Sequence, residues 1–194
     1  MEAVAATTRW RALPPEVVAE VERRRAELLT RAREPVLDLD DPAARARVAV
    51  PLDEADVGGA PAEPRFATIV CTAALIEEAD LSRAVRGLAE RLADDGELLL
   101  VEPVGHPGVW GLLTASAGAA LPVVAGLHLS RDVVAAVRAA GLTVADLDRF
   151  EIATRVWPLR RFVQLRALRI PRQPASGIDA RMPGPVGGAK GTGP

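Results

Sequence analysis

One strand–helix–strand unit, from Phe66 to Pro103, constrains the fold more than any other part of the chain. Residues 66–71 (FATIVC) form a near-continuous apolar run with β-branched residues, which is typical of a buried parallel strand. Asp80 then precedes apolar residues at the spacing of a helix with one buried face: Leu81, Ala84, Val85, Leu88 and Leu92. Residues 98–101 (LLLV) form a second buried strand after a turn at residues 94–96. This order predicts a right-handed parallel crossover in an α/β protein.

The residues before this unit predict one more helix and one more strand. Pro14 and Pro15 open a helix that runs to about Arg33, in which Arg25 interrupts an otherwise apolar stripe. Residues 36–39 (VLDL) are a short apolar run that suits a buried strand, and residues 48–50 suit a further short strand. We expect the strands near 36–39, 66–71 and 97–102 to be parallel members of one sheet.

The residues after the unit predict the end of the domain. Ser130 caps a short helix, and Gly141 stands where a left-handed C-terminal cap is expected. A closing antiparallel pair follows at 142–156 and 161–170, broken at Pro158. From residue 171 onward Pro, Gly, Ala and Ser dominate, so we expect a single domain over residues 1–170 and a disordered tail over 171–194.

Charge and cysteine content exclude several classes of protein. The formal net charge is -2 and Lys190 is the only lysine, so no overall basic field favours nucleic acid. Strand alternation would also spread the main basic cluster over two faces of the sheet: Arg149, Arg155, Arg160, Arg161, Arg166 and Arg169. Cys71 is the sole cysteine, which excludes an intramolecular disulfide and a cysteine-based zinc site. We expect a cytoplasmic protein.

The segment from Val109 to Leu127 has no charged residue and is long enough to span a bilayer. Gly and Pro interrupt it at Gly111, Gly118, Pro122 and Gly126. We therefore expect water-soluble helical structure over the carboxyl ends of the strands, where it forms an apolar pocket or a dimer interface.

The block from Phe66 to Arg169 resembles the C-terminal half of class I methyltransferases that use S-adenosylmethionine. Residues 66–71 look like the fourth strand of that fold, and residues 92–103 (LADDGELLLVEP) look like its segment of leucine, turn, glycine, strand and Glu-Pro. Residues 128–131 (HLSR) look like the start of its last helix, and 139–142 (AAGL) match the turn into its sixth strand. The resemblance implies a Rossmann-like, doubly wound, mostly parallel sheet with an antiparallel last strand.

The chain departs from this family in the first half of the pattern. Residues 36–39 look like the first strand, but Asp40, Asp41 and Pro42 stand where the family has a glycine-rich turn whose backbone approaches the cofactor. The interval from Leu39 to Phe66 is also too short for the usual helices and strands. We expect a fold truncated in its first half, with a degenerate cofactor motif.

The resemblance implies a set of cofactor-side residues: Asp38, Asp40, Asp53, Cys71 and Thr72. Asp38 either faces the methionine end of the cofactor through water or hydrogen-bonds a neighbouring backbone amide. Asp53, near Glu54 and Asp56, either holds the ribose or lies in a solvated loop. Cys71 and Thr72 end the fourth strand at the edge where open α/β sheets bind ligands, although Cys71 equally suits a small buried hydrophobe.

The substrate side is predicted to include Glu102, His106 and Trp110. Glu102 and His106 flank a strand end and could supply an acid and a base, although a loop histidine is equally ordinary. No nucleophile elbow, phosphate-cradling loop or metal-ligand spacing occurs. Two hypotheses follow: methyl transfer from S-adenosylmethionine to a small apolar metabolite, or a non-catalytic scaffold for dimerisation or a partner protein.

Overall fold

The computed structural model describes residues 9–41, 44, 65–105, 127–129 and 131–170. Within these residues, three α-helices and five strands are joined in the order α1 (Pro15–Arg31), β1 (Val36–Asp38), β2 (Phe66–Thr72), α2 (Leu81–Arg91), β3 (Leu92–Pro103), α3 (Val133–Ala139), β4 (Thr143–Glu151) and β5 (Arg161–Leu168). Short 3-10 helices occur at Arg9–Ala12, Leu75–Glu77 and Trp157–Leu159.

The five strands form one sheet in the order β1-β2-β3-β5-β4. Strands β1, β2 and β3 are parallel, with Leu37 opposite Ile69 and Ile69 opposite Leu98. Strand β5 is antiparallel to both β3 and β4. The predicted parallel strands and the predicted closing pair are therefore confirmed, and the fold is Rossmann-like with an antiparallel last strand.

Helices cover both faces of the sheet because the strands expose apolar side chains alternately to either side. Helix α1 packs on one face through Val17, Val21 and Leu28, in a cluster with strand residues Val70 and Leu99. Helices α2 and α3 pack on the opposite face, where the buried residues include Ile69, Cys71, Leu98, Leu100, Val85, Leu88 and Val137. Burying each such large side chain contributes about 1.5–3 kcal/mol, so the two aliphatic layers hold the sheet.

Strand β3 begins earlier than the sequence predicts. The pairing with β2 starts at Leu92 opposite Phe66 and resumes at Glu97 opposite Thr68, so the turn predicted at residues 94–96 lies inside an irregular part of the strand. A Cβ atom on Gly96 would lie 2.9 Å from the carbonyl oxygen of Ala93 and 3.0 Å from that of Phe66. The bulge therefore requires glycine for space.

The caps of the helices agree with the sequence in two cases and differ in one. Asp80 caps α2 by accepting from the amide of Arg83, and Gly141 adopts a φ of 81° after α3. The predicted cap of α3 at Ser130 is wrong, because Asp132 accepts from the amide of Ala135. Both residue types cap helices well, and the carboxylate two positions later sets the start of the helix.

Some predicted features lie outside the described residues. These are the strand at 48–50, the tail at 171–194 and all of Val109–Leu127 except Leu127. Among the helices in the described part of the chain, none has the length and apolar character that crossing a membrane requires.

Replacing Gly96 with alanine should lower the free energy of unfolding by about 1–3 kcal/mol, because the added Cβ meets backbone atoms that cannot rotate away. Urea denaturation followed by circular dichroism measures this change. Gly141→Ala is the matched control: its Cβ meets no atom within 4 Å, and its cost of about 1–2 kcal/mol comes from the left-handed φ alone. Gly141→Asn should recover part of the loss and Gly96→Asn none; equal recovery at both sites would contradict the steric explanation.

Candidate functional site

The carboxyl ends of the three parallel strands bring most of the predicted site residues to one edge of the sheet. Asp38 ends β1, Cys71 and Thr72 end β2, and Glu102 lies one residue before the end of β3. Asp40 follows β1 and is buried. In an open α/β sheet this edge is the one that binds ligands, so we take it as the candidate site.

Asp38 and Asp40 are held by a cation from the protein itself. Arg25 of α1 donates a hydrogen bond to Oδ2 of Asp38, and its Nε lies 3.5 Å from Oδ2 of Asp40. The other oxygen of Asp38 accepts from the backbone amide of Asp40 at 3.0 Å. Of the two roles predicted for Asp38, the structure thus shows the hydrogen bond to a neighbouring amide. It adds an ion pair that was not predicted.

Glu102 is a fully buried carboxyl group with no cationic partner among the described residues. Its Oε1 accepts from the amide of Leu75 at 2.9 Å, whereas Oε2 has no hydrogen-bond partner in the described part of the chain. Burial raises the pKa of Glu102 to about 8, the hydrogen bonds from Leu75 and Cys71 oppose the shift, and the charge of Asp40 adds to it. Glu102 is therefore mainly protonated at neutral pH.

Cys71 lies directly beside this acid. Its Sγ atom is 3.4 Å from Oε1 of Glu102, and its side chain is fully buried. Burial, followed by the charges of Glu102 and Asp40, raises the pKa of the Cys71 thiol well above its usual value. A neutral thiol is a poor nucleophile, so the geometry supports the small buried residue among the two roles predicted for Cys71.

The chain turns sharply where β2 ends. Thr72 is buried, and its Oγ1 has no hydrogen-bond partner among the described residues. Ala73 follows with a φ of 50°, in the left-handed region that alanine rarely adopts, and its amide donates to the carbonyl of Val101 at 2.7 Å. This backbone conformation costs about 1 kcal/mol or more and persists because Leu75, hydrogen-bonded to Glu102, fixes the next turn.

A second buried carboxyl group, Glu97, lies where the regular part of β3 begins and was not singled out by the sequence. Its Oε2 accepts from Nε of Arg166 at 2.6 Å, and its Oε1 lies 3.6 Å from Nε of Arg33. These partners make it a structural ion pair. Of these two buried acids of β3, only Glu102, near the carboxyl end, lacks a cationic partner among the described residues.

Three predicted site residues, Asp53, His106 and Trp110, lie outside the described residues, as do Glu54 and Asp56. Within the described part of the chain, no group of His, Cys, Asp and Glu side chains could hold a metal ion. Arg25 is the functional residue that sequence reasoning missed. Its position in the apolar stripe of α1 was the available signal, because a charge there must find a partner on the sheet.

A cleft of about 550 Å³ opens beside this edge, between the start of α3, the ends of β3 and β4 and the start of β5. Its apolar lining includes Val104, Val134 and Val163. Val163 lies opposite Glu102 in the β3–β5 pair, so the cleft adjoins the buried Glu102. The volume lies within the range of small-molecule sites.

Comparisons with known proteins return structural similarity only. No protein-family model matches the sequence, and no curated protein matches it. The structure is similar to that of the [4+2]-cyclase SpnF, at 16% identity and a TM-score of 0.40 over 55% of this chain and 50% of that one. It is also similar to a SAM-dependent methyltransferase from Methanosarcina mazei, at 14% identity and a TM-score of 0.42 over 55% of this chain and 60% of that one.

A third similar structure is the N-methyltransferase NodS from Bradyrhizobium japonicum WM9 in complex with S-adenosyl-l-homocysteine, at 15% identity and a TM-score of 0.38 over 57% of this chain and 49% of that one. The chain thus spans about half the length of these proteins. The assignment of a shortened, methyltransferase-like α/β fold rests on the strand order and directions rather than on these partial alignments.

Replacing Arg25 with glutamine should lower the free energy of unfolding by about 2–4 kcal/mol, because two carboxylates at the sheet edge lose their cation. Arg23→Gln on the same helix is the matched control, since the ion pairs of Arg23 with described residues are those with Glu20 and Glu27 at the surface, and its loss should have a much smaller effect. Urea denaturation measures the free energy of unfolding of both variants. Equal decreases in the two variants would contradict a special role for Arg25.

Glu102→Gln should remove a pH dependence of stability between about pH 4.5 and 8. The folded protein keeps the proton of Glu102 up to a pKa of about 8, whereas the unfolded chain releases it near 4.5, so wild-type stability falls as the pH rises through this window. The slope is at most about 1.4 kcal/mol per pH unit. Urea denaturation at several pH values should show that the free energy of unfolding of the variant, relative to that of the wild type, increases with pH. Parallel pH profiles of the two proteins would show that Glu102 is ionised in the folded protein.

Proposed function

We propose that this protein is a non-catalytic scaffold with a methyltransferase-like fold, which pairs with a partner protein or a second copy of itself. The single observation that carries the proposal is the contact of Arg25 with both Asp38 and Asp40. In the family that the sequence resembles, this edge of the first strand receives S-adenosylmethionine. Here the edge is occupied by charges that the protein itself compensates.

Both carboxylate oxygens of Asp38 already accept a hydrogen bond from the protein. A ligand whose ammonium or sulfonium group took the place of Arg25 would leave the displaced guanidinium without this partner. Breaking a partly buried pair costs about 3–5 kcal/mol, which a new ion pair of similar strength recovers without surplus. Asp38 therefore supports a structural role rather than cofactor binding.

The turn after β1 is also unsuited to the cofactor. The resemblance requires glycine there because a Cβ blocks close approach of the backbone, whereas Asp40 places a buried carboxylate at that position. The side chains of Asp40 and Asp41 occupy the space that a glycine-rich turn would leave open to the cofactor. The described residues of the first turn do not fit S-adenosylmethionine, and we derive no reaction step through it.

The second candidate is methyl transfer from S-adenosylmethionine to a small apolar metabolite. The cleft beside Glu102 favours it, because a substrate-sized space adjoins the edge at which the cofactor would lie. Methyl transfer depends chiefly on positioning, so it needs no strong base. A cytoplasmic location suits either candidate.

Isothermal titration of the protein with S-adenosylmethionine and its demethylated product should show no binding up to millimolar ligand. The loss of two or three hydrogen bonds of about 0.5–1.5 kcal/mol each weakens affinity by roughly one to three powers of ten. A methyltransferase with an intact glycine-rich turn, titrated from the same ligand stock, is the positive control.

Light scattering after size-exclusion chromatography completes the test by measuring the mass in solution. The scaffold proposal expects a stable dimer, or a monomer that captures a partner protein in a defined stoichiometry. A dissociation constant in the low micromolar range or tighter for S-adenosylmethionine would reject the proposal and make the enzyme the leading account.

A further inference from the structure

The cleft beside the carboxyl edge has an apolar floor and a basic rim. Val104, Val134 and Val163 line it together with Arg131, Arg149 and Arg161. Val163 is 1% exposed, whereas Val104 and Val134 are half-buried, so the floor joins the core to the open part of the cleft. A space of this kind suits a ligand with an apolar body and a charged end.

The strand register places two of the arginines on the same face of the sheet. Val163 pairs with Glu102 on one side and with Arg149 on the other, so these three side chains form a row across β3, β5 and β4. Arg161 lies two positions before Val163 on β5 and therefore points to the same side. Strand alternation thus divides the basic cluster of the sequence between the two faces of the sheet, but it leaves Arg149 and Arg161 on the same face. Arg166 lies on the opposite face, which α1 covers, and donates a hydrogen bond to Glu97 there.

The other charges of the rim already have partners. Arg131 donates to the carbonyl oxygens of Glu78 and Ala79, and Asp132 caps α3.

The two strand arginines differ in their partners. Arg161 lies 3.7 Å from the exposed carboxylate of Glu151. By contrast, no hydrogen bond or ion pair engages Arg149 in the part of the chain that the structure describes. Among the described residues, the rim therefore holds one guanidinium without an ionic partner, that of Arg149, beside the weakly paired guanidinium of Arg161.

We propose that this cleft binds a small molecule with a single carboxylate on an apolar body. The carboxylate contacts Arg149 and Arg161, and the apolar body lies on Val104, Val134 and Val163. A guanidinium binds a carboxylate with two parallel hydrogen bonds, which gives the pair its strength. Glu151 and Asp132 at the rim oppose a doubly charged head group, so a monocarboxylate is favoured over a phosphate monoester.

This proposal goes beyond the proposed function and does not depend on it. It uses the ends of β4 and β5, whereas the scaffold proposal uses Arg25, Asp38 and Asp40. Failure to bind S-adenosylmethionine leaves the cleft intact, and failure of the cleft to bind a carboxylate leaves the ion pairs of β1 intact. The two titrations are therefore separate tests.

The test titrates the full-length protein with hexanoate, with hexan-1-ol and with inorganic phosphate, and follows amide shifts by NMR. Hexanoate should shift the amides of Val134, Arg149 and Val163. Hexan-1-ol lacks the charge, so its dissociation constant should be at least roughly ten-fold higher than that of hexanoate. Inorganic phosphate should shift these amides less than hexanoate does, because it lacks the apolar body.

Three variants identify the residues responsible. Arg149→Gln and Arg161→Gln should each weaken hexanoate binding by roughly ten-fold. Arg86→Gln is the matched control, because Arg86 is exposed on α2 and does not line the cleft. Thermal unfolding of each variant checks that the fold is kept.

Four results would overturn the proposal: no shift with hexanoate at its highest soluble concentration, equal binding of hexan-1-ol, stronger binding of phosphate, or the same loss in Arg86→Gln. If a strand variant does not fold, the comparison of hexanoate with hexan-1-ol on the wild type still decides whether the charge is recognised.

Discussion

The pairing of β3 with β2 on one side and β5 on the other is the interaction on which the rest of the structure depends. It joins the parallel half of the sheet to the antiparallel half, and every packed helix contacts a face built around it. The same strand carries two buried carboxyl groups into the sheet. A buried charge is tolerated only if it is paired or neutralised, so β3 imposes an electrostatic demand at both positions.

The two positions meet this demand differently. Where the regular part of β3 begins, Glu97 keeps its charge because Arg33 and Arg166 reach it. At the carboxyl end, Glu102 is neutralised by a proton, and the carboxylates of Asp38 and Asp40 are paired with Arg25. The carboxyl edge therefore contains acids of two kinds within a short distance, one protonated and two ion-paired.

Local sequence signals were sufficient to predict the helices and strands, but they were insufficient to predict the tertiary contacts of individual residues. The β2–α2–β3 unit could be predicted because its apolar spacing, its Asp80 cap and its strand composition all indicate the same structure. The early start of β3 could not, because the bulge at Gly96 depends on the position of Phe66 in another strand. Arg25 was visible as an interruption of a helix stripe, but its acids follow in a different element. A contact of this kind is a tertiary property, and no periodicity reports it.

The internal ion pair of Arg25 changes how the stability of the protein relates to its surroundings. A protein whose carboxylates are paired only when a cationic metabolite binds gains stability with the logarithm of the concentration of that metabolite. Its folded fraction therefore depends on that concentration. The guanidinium of Arg25 belongs to the same chain, so its effective concentration at the two carboxylates is fixed and does not depend on free metabolite. The stabilisation that Arg25 gives to Asp38 and Asp40 is therefore independent of the concentration of any metabolite.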